Sequence, residues 1–449
     1  MSELVKKPIT ELVELIRRRT ISPVELAEAH LEQIAVLNPA LNAIVTLAPD
    51  LLDHARQAES RLSSGELGPL HGIPLTIKDT IETADIRTTS GSKIRANYVP
   101  TKDAPAVARL KSAGAIILGK TNAAEMAMDY DAVNPVFGRT NNPIDISLCP
   151  GGSSGGEAAA IAAHMSPGGL GSDLAGSIRI PAHFCGITGL KPTTGRVPGE
   201  LQFPPSSGPY SLGAAIGPMA RSAGDLRVLF RVLADDQPSR AINLPENLHF
   251  AWYDYDGVAE VTDETKAAVR AAVAALQESN LIGEEIRPPG VDQANELWLQ
   301  VFSRASVVQL RNVYAGREHD GGPFVSWRLK TADDRPAPTL DEYIASWMER
   351  DRLREELINW MSRYPILICP VGATPAYKHD TLKVSVNGTS MGTFKAFSYA
   401  QAFNLFDLPV VTVPAGKSNE RLPIGVQIVG RPGEEELVLS VAEIVECGC

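Results

Sequence analysis

The sequence predicts an α/β fold in which βα units build a mixed or parallel central sheet. Three observations point there. Short apolar runs with strand character alternate with helical segments. Hydrophobic residues make up 44% of the 449 positions, enough for a sizeable core. Length alone suggests about three domains, but no linker is long or polar enough to divide the chain convincingly.

The first 60 residues read as helices. Ser22-Pro23-Val24-Glu25 is a capping box with Pro at the first helical position. Leu26, Ala29, His30, Gln33 and Leu37 follow at helical spacing, and Asn38-Pro39 is expected to end that helix. A second helix is read over 50–62. Ile73–Ile77 is strand-like, 104–113 helical, and Ala115–Leu118 a buried strand. Positions 150–218 are densest in Gly, Ser and Pro, with Gly-Ser clusters at 151–156 and 168–177 and an Ala-rich helix at 157–163. A charged stretch, 233–248, reads as a connection. Strand 248–253 and helices 264–279, 295–314 and 340–364 follow, with a loop over 315–339 centred on Gly321-Gly322-Pro323-Phe324. The end alternates again: strand 366–369, helix 394–405, strands 410–413 and 424–429, and a helix from Glu434.

Composition excludes several classes. A net charge of −11 argues against nucleic-acid and membrane-surface partners. Met1–Lys7 lacks signal-peptide features and no run approaches 18 apolar residues, so a cytoplasmic location with no membrane span is expected. The five cysteines are scattered, which fits a reducing compartment; Cys447 and Cys449 form a terminal C-x-C, either a metal site or a frayed end. No histidine motif suits a catalytic zinc. No metal and no cofactor is expected.

Three segments can carry chemistry. Lys78 follows an apolar strand, where it is either a solvated strand end or a partly buried base of lowered pKa. Pro150-Gly151-Gly152-Ser153-Ser154-Gly155-Gly156 leads into a helix, as a ligand-approaching loop or as a tight turn with Ser as cap. In Gly171–Pro181, small residues precede Ser177, and the segment reads either as an oxyanion loop, the N–H groups of Leu174, Ala175, Gly176 and Ser177 converging on one oxygen, or as only a Gly-rich loop.

Taken together, the order Lys78, G-G-S-S-G-G, G-S-D-L-A-G-S-I-R-I-P resembles the amidase signature family. So do Thr121–Glu125, Asn134–Thr140, Cys185–Thr193, Gly217–Ser222 and Pro423–Gly430, whereas about 235–390 matches weakly. The resemblance covers nearly the whole chain. It implies one domain over 1–449, a central mixed sheet surrounded by helices. Its parts are N-terminal helices to about 65, a catalytic core to about 235, a variable pocket region to about 390 and a C-terminal return to the sheet. It implies a Ser-Ser-Lys triad: Ser177 as nucleophile, Ser153 in a cis peptide as bridge, and Lys78 as ultimate base. Ser154, Asp173 and Arg179 would support the loop. Ala175 stands where the family usually has glycine, and would be strained if that position needed positive φ.

Substrate choice is expected from less well matched segments. Met126, Tyr130, Gly151, Gly152, Phe203, Phe324 and Trp327, with Trp298 and Phe302, are candidates to line an apolar, partly aromatic pocket, and each aromatic could equally be core. The expected activity is hydrolysis of small apolar or aryl amides, with esters and carbamates sharing the acyl-enzyme. The alternatives are the glutaminase subunit of a tRNA-dependent amidotransferase, for which the chain reads as short, and a non-catalytic binding protein on the same fold. The N-terminal helices offer a face for a homodimer.

Overall fold

The computed structural model describes residues 3–63, 67–234, 244–245, 247–334 and 336–449. Eleven strands form one mixed sheet. Across it run Ile44–Leu47, Ile116–Thr121, Pro74–Lys78, Gly168–Asp173, Ala215–Ala220, Thr188–Lys191, Val410–Lys417, Pro423–Val429, Ile366–Pro370, His249–Trp252 and Ile282–Glu285. Pro74–Lys78 is parallel to both neighbours, pairing Lys78 with Thr121 and Thr76 with Gly169. The middle of the sheet is antiparallel, and its far edge is parallel again.

Strand alternation sorts the side chains between two cores. Leu75, Ile77, Leu170, Ile366, Ile368, Ile424, Val426 and Ile428 enter one, packed by N-terminal and C-terminal helices. Leu367, Cys369, Val410 and Val429 enter the other, which is rich in aromatics. Lys78, two residues from Thr76, therefore faces away from the first core.

Several elements differ from expectation for physical reasons. The helix opened by the Ser22 capping box runs Pro23–Leu41, through Pro39, and ends at left-handed Asn42. Asn38 Oδ1 accepts the N–H groups of Ala43 and Ile44, which anchors the turn beyond the proline. Gly168–Asp173, read as a loop for its glycines, is a central strand. A Cβ on Gly169 would lie 2.1 Å from Thr76 O, and one on Gly171 2.8 Å from Met219 Sδ, so close approach by neighbours demands glycine there. Within 315–339, Pro323–Lys330 is helical, with Pro323 serving as a helix starter. Helix 295–314 is three pieces: Val291–Trp298, a π-helical turn Leu299–Ser303, and Arg304–Val313. The helix read over 394–405 breaks at Phe397. Most of the connection read over 233–248 lies outside the described residues. No described helix is long and apolar enough to cross a membrane.

Candidate active site

Lys78 ends a strand flanked on both sides by other strands, and it is fully buried. Its Nζ donates to Ser153 Oγ at 2.6 Å and to Ser172 Oγ at 3.0 Å. Burial pushes the amine down to about 7, against the nearby Asp173 and Glu157 carboxyls, which favour its charged form. Of the two sequence readings of Lys78, the structure places it as the buried one.

Ser153 lies in the loop entering helix Gly155–Ala162, and the Gly152–Ser153 peptide is cis. Ser154 stitches the loop to its surroundings. Its N–H donates to Ser177 O at 3.2 Å, and its Oγ donates to Ser172 O at 3.3 Å. A Cβ on Gly151 would lie 2.8 Å from Pro181 Cα, and one on Gly152 2.5 Å from Asp129 O. These two glycines, expected to line substrate, are therefore packed on protein backbone.

Ser177 is 6% exposed, just before helix Arg179–Cys185. Among the described residues its Oγ makes no hydrogen bond. The expected four-donor oxyanion set needs a correction. Gly176 N–H donates to Asp173 Oδ1 at 2.8 Å and is committed. The N–H groups of Leu174, Ala175 and Ser177 donate to no described protein group. Gly176 carries the positive φ, 105°, and Ala175 does not, so alanine there is unstrained.

Asp173 and Arg179 form a wholly buried ion pair, with Nε–Oδ2 at 3.0 Å and a second contact of 2.9 Å. Asp173 also accepts the Ile178 N–H, and Arg179 reaches Ala400 O, Gln427 Oε1 and Asn404 Oδ1. Burial opposes the Asp173 charge, but Arg179 outweighs it and holds the carboxyl well below the usual carboxylate range.

Aromatic groups brace the same loop. Tyr130 Oη donates to Ala175 O at 2.7 Å, and Trp298 Nε1 donates to Leu174 O at 3.0 Å. Phe394 packs on both rings, centroids 5.6 and 5.0 Å away. Gln401 Nε2 donates to Tyr130 Oη. Trp298 and Tyr130 thus meet the Ser177 loop, whereas other candidates do not share these bonds. Met126 packs with Leu310, Tyr314 and Val325, and Phe203 borders that cluster beneath the Arg95 guanidinium. Phe324 and Trp327 touch each other, but Trp327 is 55% exposed, so it encloses nothing. Its helix buries only Val325, which leaves the indole outside.

Ser172, Glu157 and Gln401 at this site escaped sequence reasoning. Ser172 had a signal, its place next to Asp173 in the motif; the others acquire their roles only by tertiary approach. His183 accepts the Gly425 N–H at Nδ1 and donates from Nε2 to Thr374 O, and burial pushes it down to about 4, the environment of a structural histidine. Among the described residues no group of His, Cys, Asp and Glu suits a metal ion. Trp298→Phe, which removes the bond to Leu174 while keeping an aromatic ring, is expected to lower kcat/KM about fivefold with Tm little changed, read by steady-state kinetics and thermal melting.

A family model described as Amidase matches residues 25–439. The glutamyl-tRNA(Gln) amidotransferase A subunit of Roseiflexus castenholzii (strain DSM 13941 / HLO8) is 34% identical, covering 99% of this chain and 96% of that one. A crystal structure of an amidase superposes with a TM-score of 0.89 at 29% identity, covering 98% of this chain and 99% of the other. A bacterial aryl acylamidase of the amidase signature enzymes does so with a TM-score of 0.85 at 25% identity, covering 98% and 96%.

Proposed function

This chain belongs to the amidase signature family, the Ser–cis-Ser–Lys amidohydrolases, and on that footing we propose that it hydrolyses small apolar or aryl amides through an acyl-enzyme on Ser177. The reading of the triad rests on the 2.6 Å contact of Lys78 Nζ with Ser153 Oγ beside the cis Gly152–Ser153 peptide. The reading of the substrate rests on the Tyr130, Phe394 and Trp298 rings packed together against the Ser177 loop, which carry no formal charge.

Neutral Lys78 takes the Ser153 proton as Ser153 takes the one from Ser177, whose Oγ bonds to the carbonyl carbon. The oxygen that becomes negative is received by the N–H groups of Leu174, Ala175 and Ser177. As the C–N bond breaks, the proton returns through Ser153 to the departing nitrogen, so the amine leaves neutral. Water then repeats the sequence on the acyl ester. Esters enter by the same route. Carbamates do so as an alkoxycarbonyl or a carbamoyl enzyme, depending on which bond breaks.

One observation favours glutamine as substrate: the 34% identity to one chain of an amidotransferase, over 96% of its length. The alignment spans 483 positions against the 449 residues here, so the chain is shorter than that relative, as expected, while matching it along nearly its whole length. Against glutamine stand these uncharged rings beside the Ser177 loop, since its ammonium and carboxylate call for charged partners. Hydrolysis of a matched anilide, ester and carbamate panel beside glutamine tests the choice. Anilide turnover is expected to exceed glutamine turnover, and the reverse order would sink the reading. Fluorophosphonate labelling should add its mass to the Ser177 peptide, which separates an enzyme from a binding protein on the same fold.

A further inference from the structure

We infer that Glu157 is the positioning residue of the Lys78–Ser153 pair: its carboxylate clamps the helix that follows Ser153 onto the strands around Lys78, and it supplies the counter-charge for the protonated amine. The inference rests on Lys78 being the base.

Glu157 lies in the first turn of helix Gly155–Ala162 and is fully buried. One carboxylate oxygen accepts from Thr76 Oγ1, and the other accepts from Thr121 Oγ1 at 2.7 Å. Thr76 precedes Lys78 by two positions and so shares its strand face, and Thr121 pairs with Lys78 in the parallel register. The two anchors therefore flank the base on adjacent strands. A Cβ on Gly169 would lie 2.3 Å from Glu157 Oε1, so that glycine leaves the carboxylate its room; one on Gly156 would lie 2.4 Å from Asn122 O, so the helix itself packs closely on that backbone.

The groups around Lys78 divide the work. Ser153 and Ser172 offer hydroxyls. Asp173, on the neighbouring strand, is bound twice by Arg179. Lys120 and Asp79 lie beyond, with Lys120 Nζ donating to Ile81 O and Thr83 Oγ1, and Asp79 accepting from Thr89. Asp173 acts more strongly on the Lys78 charge than Glu157 does but is held by Arg179, and Glu157 is acted on by Lys120 as well as by Lys78. Binding hydroxyls only among the described residues, Glu157 adds counter-charge to Lys78 without an ion-pair contact of its own. Burial drives the Glu157 carboxyl up, to about 7, and the Lys78 and Lys120 amines down, to about 7, and both lysines favour the charged carboxylate, so the three groups titrate together.

Ser177 labelling by a fluorophosphonate, followed across pH by intact mass on the full chain, tests this without knowledge of the natural substrate. The wild-type rate is expected to rise through about pH 7. Glu157→Gln keeps the shape and removes the charge, so the midpoint should fall by about one pH unit. Glu157→Asp keeps the charge and shortens the reach, so the midpoint should hold while the plateau drops about tenfold. An unmoved midpoint in Glu157→Gln would overturn the inference, as would unfolding of both variants, which would make the carboxylate a requirement of the core. If instead Lys78→Ala labels at the wild-type rate, it is the reading of Lys78 that fails.

Discussion

Lys78→Met is expected to lower kcat/KM on an anilide by about ten-thousand-fold or more, because among the described residues no other base contacts the Ser153 hydroxyl. Wild-type activity should climb with pH through about 7 and then level, since the amine works only when neutral and burial has brought its pKa there. A flat wild-type profile from about pH 5 to 9, or a Met variant within tenfold of wild type, would refute the role. Stability of the Met variant should move opposite to its activity. The unfolded lysine holds its proton up to its ordinary 10.5, whereas the folded one releases it at about 7. Between those values the unfolded chain binds more protons, so this lysine's cost to folding is full below about 7 and fades toward 10.5. Methionine removes that cost, so Tm at neutral pH should hold or rise, measured by thermal melting beside the activity assay.

Asp173→Ala is expected to cost about 3–5 kcal/mol of folding free energy, read from urea unfolding. It strands the buried Arg179 guanidinium and leaves the Gly176 and Ile178 N–H groups without their acceptor. Asp173→Asn, which keeps an acceptor oxygen, should cost less. A loss under about 1 kcal/mol for the alanine variant would show that the pair does not hold this loop. The native carboxyl is held far below its ordinary 3.8, so the pair's contribution is fully present above that value and fades only as pH falls toward the lowered native value.

Much of this arrangement was legible in the chain. Lys78, Ser153 and Ser177 could be named from motif order, and the Ser22 capping box from local chemistry. What could not be read has a common cause. Leu174 and Trp298 are 124 positions apart, and Thr76 and Glu157 are 81 apart, so no local pattern announces either bond. Strand 168–173 was hidden by its own glycines, which serve neighbours packed on them and not the strand's propensity. Trp327 failed as pocket lining because aromatic identity says nothing about which way a short helix turns its face. Ala175 resolved once φ was known: the strained conformation belongs to the residue after it.

The π-helical turn at Leu299–Ser303 has a consequence best stated as angular phase. Each residue advances a helix by about 100°, so one turn wound wider resets the direction of everything downstream. Before and within it, Leu297, Trp298, Val301 and Phe302 join the aromatic core; after it, Leu310 and Tyr314 turn to Met126. A single run of helix thereby serves two separate neighbours that a uniform α-helix of the same length would not meet in the same rotation. Deleting one residue within 299–303 would not merely shorten the run but dial its second half away from Met126, leaving the Trp298 half in place.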